Sequence, residues 1–253
     1  MPRQSKEQIS LWNTHLDNLD KELKNFVPTI YKSNHLAVIV EPRNHKHLEI
    51  VLKSTMFFLN NYESDTKWGL KIYYGNKNQD FVKDMTKNWE NVILENLNVD
   101  DLSPLEYNSF IKTKKFWNSI PTEEVLMFQT DTILLRYGID EFLQKNLNYL
   151  GAPWYRKREN TFIGNGGLSL RKKSKMLWVI ENYLDNSITQ EDIYFCKYLY
   201  MNNFLIDDVN LAGKFSVEDV YFDNPLGLHQ PKVDIEKLKK LFSNSLNLIE
   251  HGK

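Results

Sequence analysis

Cysteine is nearly missing from this chain: Cys196 is the only one in 253 residues, so no intramolecular disulfide can form. It sits in the apolar run Ile193-Tyr194-Phe195-Cys196, where a thiol serves as a small buried hydrophobe rather than a nucleophile. Also absent is any apolar run near the ~20 residues that a membrane span needs, and the N-terminus has no signal-peptide core. A reducing compartment, the cytoplasm, is therefore expected. The abundance of Asn and Lys fits AT-biased coding, as in a microbe or a virus, and a viral source would add host cytoplasm or virion. An excess of one charge is lacking too. With 32 basic and 33 acidic side chains the formal net charge is −1, which gives no bulk attraction to nucleic acid or to an acidic membrane. The clusters Lys112-Thr113-Lys114-Lys115 and Arg171-Lys172-Lys173 read as solvated surface, with a phosphate as the alternative partner. Repeats, low-complexity tracts and flexible linkers are not found, so one domain over 1–253 is the simplest account. No G-x-G-x-x-G follows the first apolar run, which argues against a dinucleotide dehydrogenase.

What is present is an alternation of apolar runs and helical spacings. Residues 7–26 place Ile9, Trp12, Leu16, Leu19, Leu23 and Phe26 at steps of three and four, an amphipathic helix ended by Pro28. This N-terminal helix (1–30 with its flanks) and a last one over 234–253, burying Leu238, Leu241, Phe242 and Leu246, either form a homodimer or cover the sheet of one copy. Between them Leu36–Glu41, Leu70–Tyr74 and Val92–Glu95 read as strands, separated by helices over about 47–60 and 79–89. That order predicts an α/β fold, a Rossmann-like parallel sheet flanked by crossover helices. Val125–Phe128 is unbroken apolar sequence, as in a strand buried on both faces, and a short helix is expected over 139–148. Further on, Ser174 is a candidate cap for a helix burying Met176, Leu177, Ile180, Tyr183 and Leu184. Thr189 is the candidate for the next, with Asp192 in the capping-box position.

Four places combine residue types that do chemistry. Gln129-Thr130-Asp131 follows the central strand directly, and ligands of open α/β sheets collect beyond the carboxyl ends of the strands. A carboxylate there can hold a hard divalent ion that also takes substrate phosphates; alone, the same residues make a polar turn. Gly164-Asn165-Gly166-Gly167 either brings backbone amides close to a sugar or phosphate or forms a hairpin turn. Glu191-Asp192 stands at a helix start, where carboxylates are favoured electrostatically. His229 lies in a loop bounded by Gly227 and Pro231.

In their order, Phe128-Gln129-Thr130-Asp131-Thr132, Gly151-Ala152-Pro153-Trp154, Gly164 through Arg171, Glu191-Asp192-Ile193-Tyr194, Phe215 through Glu218 and Gly227-Leu228-His229 resemble a family of small glycosyltransferase-like proteins of the GT-A superfamily. The resemblance spans about Leu36 to His229 and leaves out both terminal helices. It implies a mixed, mainly parallel central sheet and a nucleotide-sugar donor bound by Glu41, Arg43, Gln129, Thr130 and Asp131. It also implies Mn²⁺ or Mg²⁺ on Asp131 and His229, and Asp192 as the base of an inverting hexosyltransferase. Trp154, Asn165, Gly166, Gly167 and Glu191 would face the sugar or acceptor, a glycan or protein hydroxyl. Gln129 departs from the superfamily's Asp-x-Asp, and a neutral amide holds a cation less tightly than a carboxylate. Two other readings remain: a nucleotidyltransferase or nucleotide-sugar hydrolase, and a degenerate fold that only binds nucleotide sugar or glycan. A nucleotidyltransferase needs several clustered acids, and only Asp131 is offered.

Overall fold

The computed structural model describes residues 4–61 and 66–252; the outermost limits expected for the terminal segments, 1–3 and 253, lie outside them. Helix α1 (Lys6–Glu22) opens with a capping box: Gln8 N–H donates to the Ser5 hydroxyl at 3.1 Å, and Ser5 N–H to the Gln8 side chain at 2.7 Å. It ends at Glu22 rather than Phe26, and Ile9 stays exposed while Trp12, Leu16 and Leu19 turn inward. The sheet begins with β1 (His35–Val40), α2 (Leu48–Asn60), β2 (Trp68–Tyr74), α3 (Gln79–Thr86) and β3 (Ile93–Asn96), in which both strand pairs are parallel. α2 is buried along its whole length, since it lies on the sheet and is itself covered by α1. Two short helices, α4 (Pro104–Ile111) and α5 (Lys114–Asn118), lead to β4 (Glu124–Phe128), which pairs parallel with β1. An unbroken apolar strand in that central position follows from burial on both faces.

The second half adds β5 (Thr132–Leu134), α6 (Asp140–Leu143), β6 (Tyr149–Gly151), the hairpin of β7 (Pro153–Arg158) and β8 (Thr161–Ile163), and β9 (Leu168–Lys172). After these come α7 (Lys173–Asn182), α8 (Glu191–Met201), α9 (Val209–Phe215), β10 (Ser216–Val217), β11 (Gly227–His229) and α10 (Ile235–His251). The main sheet runs β3-β2-β1-β4-β9-β6, and β9 is antiparallel to both neighbours, so the sheet is mixed but mainly parallel. A smaller sheet, β10-β11-β5, carries His229 to the tip of β4. Helices α1 and α10 pack on each other, with Trp12 and His15 against Phe242. Among the described residues no helix is long and apolar enough to cross a membrane.

Four local expectations change. Ser174 does not cap α7; its hydroxyl and N–H bond Glu123, and the cap position is Lys172. α7 stops at Asn182, which leaves Leu184 exposed. α8 starts from Gln190 without a side-chain cap, and the Thr189 hydroxyl turns to the Gln190 side chain. The helix expected over 139–148 is the single turn of α6.

Candidate active site

The site lies beyond the C-terminal ends of β1 and β4. Gln129, Thr130 and Asp131 leave β4, and the chain re-enters a strand at Thr132. In the β5–β11 ladder Thr132 stands opposite His229, and the Gln230 N–H donates to the Asp131 carbonyl at 3.1 Å. This pairing brings Nε2 of His229 to 3.3 Å from Oδ1 of Asp131. The Gln230 amide holds the other oxygen of Asp131. On the far side of the ring, Nδ1 of His229 is 3.9 Å from Glu218, whose carboxylate also takes Lys232 at 2.7 Å and the Asn165 amide. Burial alone would lower the His229 imidazole, yet Asp131 and Glu218 outweigh it and raise it to about 10. Asp131 is pushed up by burial and pulled down further by His229 and Gln230, ending at about 2.

The glycine loop between β8 and β9 is not a hairpin turn, because those strands belong to different sheets. Its glycines admit side chains of this same chain. A Cβ on Gly167 would lie under 3.0 Å from three atoms of the His229 ring, and one on Gly166 would lie 2.5 Å from the Glu191 carboxylate. The loop's polar groups are largely engaged within the protein. Gly167 N–H donates to Asn165 Oδ1 at 3.0 Å, and Gly166 N–H to Asp192 at 3.3 Å. Asn165 therefore ties the loop to Glu218. Glu191 lines the cleft, but both its oxygens are taken by Arg171 at 2.6 and 2.9 Å. Arg171 is fully buried, which overturns the expectation that its cluster is solvated surface.

Among the described residues, Asp192 is the cleft carboxylate left without a cationic partner of its own. Burial pushes it up, Glu191 adds to this, and the Ile193 N–H, Arg171 and the Gly166 N–H offset part of it; the outcome is about 6. Across the cleft the Glu41 carboxylate is gripped by Arg43 at 2.8 and 2.7 Å and by the Thr130 hydroxyl at 3.3 Å. The rest of the half-exposed Arg43 guanidinium remains available to an anion. α4 forms one wall: Tyr107 reaches the Gln129 side chain, and Asn108 accepts the Glu191 N–H at 2.7 Å. Together these residues enclose a cleft of about 430 Å³, within the range of small-ligand sites.

Of the residues singled out from sequence, Glu41, Arg43, Gln129, Thr130, Asp131, Asn165, Gly166, Gly167, Glu191, Asp192 and His229 all line this cleft. Trp154 does not: it is buried beneath the loop, next to Gly164 and Arg158, and cannot stack on a sugar there. The sequence by itself does not single out Tyr107, Asn108 or Glu218 for the site. Glu218 sat within a quoted motif, but nothing local ties an acid to a histidine eleven positions on.

A divalent cation fits the Asp131–His229 pair on two grounds. Oδ1 of Asp131 and Nε2 of His229 are buried and lack a hydrogen-bond partner despite their 3.3 Å approach. Two donors side by side on one ion, each about 2.1 Å from it, also stand about 3 Å apart. Among the described residues no group of three or more His, Cys, Asp or Glu could hold a metal, so phosphate or water oxygens would complete the shell. Binding would have to expel the His229 proton.

The fold matches solved GT-A glycosyltransferase structures. These include the apo-form glycosyltransferase GlyE of Streptococcus pneumoniae TIGR4 (12% identity, 86% of this chain and 62% of that one, TM-score 0.52). An active-site mutant of LgtC matches at 12% identity over 84% of this chain and 95% of that one, TM-score 0.50. Mouse xyloside xylosyltransferase 1, also apo, matches at 9% identity over 77% and 96%, TM-score 0.51. At such identities the likeness is one of fold, and this chain spans less than two thirds of GlyE. No curated protein matches by sequence. Residues 91–229, more than half of the chain, match the family described as "Protein of unknown function (DUF5672)".

Proposed function

The chain belongs to the family described as "Protein of unknown function (DUF5672)", and from that premise we propose that it is an inverting glycosyltransferase acting from a nucleotide-sugar donor. The observation that carries this reading is the meeting of Asp131, His229, Arg43 and Asp192 on one cleft at the carboxyl edge of a GT-A-like sheet. Arg43, steadied by Glu41, neutralises part of the diphosphate, while Gln129 and Thr130 address the nucleoside. Asp131 and His229 would hold Mn²⁺ or Mg²⁺, which when bound supplies Lewis-acid stabilisation of the leaving diphosphate. Asp192 accepts the proton of the acceptor hydroxyl as its oxygen bonds the anomeric carbon. The bond from that carbon to the diphosphate breaks in the same step, and its electron pair leaves on the diphosphate oxygen. A carboxyl at about 6 is mainly ionised at neutral pH and still basic enough to take that proton. The acceptor is a glycan or protein hydroxyl.

The experiment is a calorimetric screen of UDP- and GDP-sugars with and without Mn²⁺, followed by donor hydrolysis and transfer. Asp131→Ala is expected to remove metal-dependent donor binding. Asp192→Asn should leave donor binding intact and lower kcat by about 10²–10⁴-fold. Near wild-type turnover in Asp192→Asn, or a product of retained configuration, would overturn the base assignment. Gln129 in the first acidic position favours a second reading, a module that binds the donor without chemistry. Tight donor binding with no slow hydrolysis would select it.

A further inference from the structure

Beneath the glycine loop lies a guanidinium that nothing in the cleft chemistry uses. Arg171, on β9, has no exposed surface. Besides its two bonds to Glu191, it donates from Nε to the Ser169 hydroxyl at 2.8 Å and from Nη2 to the Gly166 carbonyl at 3.3 Å. The rings of Tyr149 and Phe195 stand 4.8 and 5.9 Å from it. One side chain thus ties together the central sheet, the glycine loop and the first residue of α8. Asp192 is the next residue, and it accepts the N–H of the same Gly166. From the opposite wall Asn108 accepts the Glu191 N–H, supplying the cap that Gln190 does not.

We infer that Arg171 is a positioning residue: through Glu191 and the Gly166 carbonyl it fixes where the Asp192 carboxylate stands in the cleft. The inference rests on the base role proposed for Asp192. A buried ion pair is poor evidence of a stability role, because apolar isosteres often do as well. What the bidentate pair adds is direction as well as distance. Misplacing a reacting group by about 1 Å can cost on the order of 10²-fold in rate.

The charges facing Asp192 give the role a signature. Glu191 raises its proton affinity and Arg171 lowers it. Tyr149 and Cys196 also face it, both pushed by burial well above neutrality, and Tyr107 faces Glu191. The largest charges at work on Asp192 are thus the two members of the pair, with opposite sign.

The test uses the full chain with Arg171→Met, Glu191→Gln and the double variant, which removes both charges at similar volume. Melting temperature, donor affinity, kcat and the ¹³C titration of the Asp192 carboxyl are measured for each. The double variant should melt and bind donor as wild type does, with kcat lower by about 10²-fold. Arg171→Met should move the Asp192 midpoint up and Glu191→Gln should move it down. A folded double variant with wild-type kcat overturns the inference, as do single variants that leave the midpoint in place or shift it the same way. If Arg171→Met does not fold, Glu191→Gln and the double variant decide. If the wild type turns over no nucleotide sugar, the transferase reading fails by itself, and the carboxyl midpoints still judge Arg171.

Discussion

Replacing Gly167 with alanine tests the site's geometry more sharply than removing a charge. The new Cβ would lie under 3.0 Å from Nε2, Cδ2 and Cε1 of His229. Unstrained contacts between such atoms need about 3.5 Å, so the ring must retreat by about 1 Å. It has little room to do so. His229 is buried, its backbone belongs to the β5–β11 ladder, and carboxylates stand on both sides of the ring. Overpacking of this kind costs about 1–3 kcal/mol. In a domain of this size that lowers Tm by roughly 2–4 °C per kcal/mol. A displaced ring no longer holds Nε2 where it now stands beside Asp131, so Mn²⁺-dependent donor binding should weaken together with Tm. Calorimetry measures both. A His229→Ala background removes the atoms that clash, and there the glycine substitution should cost far less, a non-additivity expected of touching residues. Equal losses of Tm in the two backgrounds, or unchanged Tm and donor affinity in Gly167→Ala alone, would refute the reasoning.

Other outcomes follow from the same residues. With Asp192 at about 6 in the free chain, kcat/KM should hold through neutral pH and fall about tenfold per unit well below pH 6, and Glu191→Gln should carry that limb to lower pH. A flat rate between pH 5 and pH 7 would count against a carboxylate base. His15 is buried against Phe242 with both ring nitrogens unpartnered, and burial lowers its imidazole from 6.5 to about 3. Between those values the unfolded chain binds a proton that the folded chain does not, so stability is lost as pH falls from 6.5 toward 3. His15→Phe keeps the stacking and removes the unpaired nitrogens. It should stabilise by about 1–3 kcal/mol at neutral pH and blunt the acid loss, both visible in thermal melts across pH.

Legibility differed by element. Leu36–Val40 and Val125–Phe128 are readable because strands buried on both faces show as unbroken apolar sequence, whereas Leu70–Tyr74 is read from its alternation around Lys71. Ser174 and Thr189 look like caps but are not, since a hydroxyl beside a helix start has rival partners. Glu123 and Gln190 took them. Trp154 was misplaced for a similar reason: an aromatic after a turn looks the same whether it faces a cleft or lies beneath a loop. The glycines of 164–167 read as room for a ligand; in the structure Gly166 and Gly167 line the cleft, and a Cβ on either would collide with Glu191 or His229.

By itself the sequence determined the alternation of strands and helices and the residue types at their ends, because hydrophobic periodicity and turn chemistry act over a few neighbouring positions. Only the tertiary structure decided which of those residues meet. Gln230 and Asp131 are 99 positions apart, and their contact depends on a ladder between strands of three residues, too short to carry a pattern of their own. The engagement of Glu191 by Arg171, which leaves Asp192 as the unpaired acid, is likewise a product of packing between β9 and α8. Two adjacent carboxylates look alike in a sequence; they part only when one of them finds a buried cation.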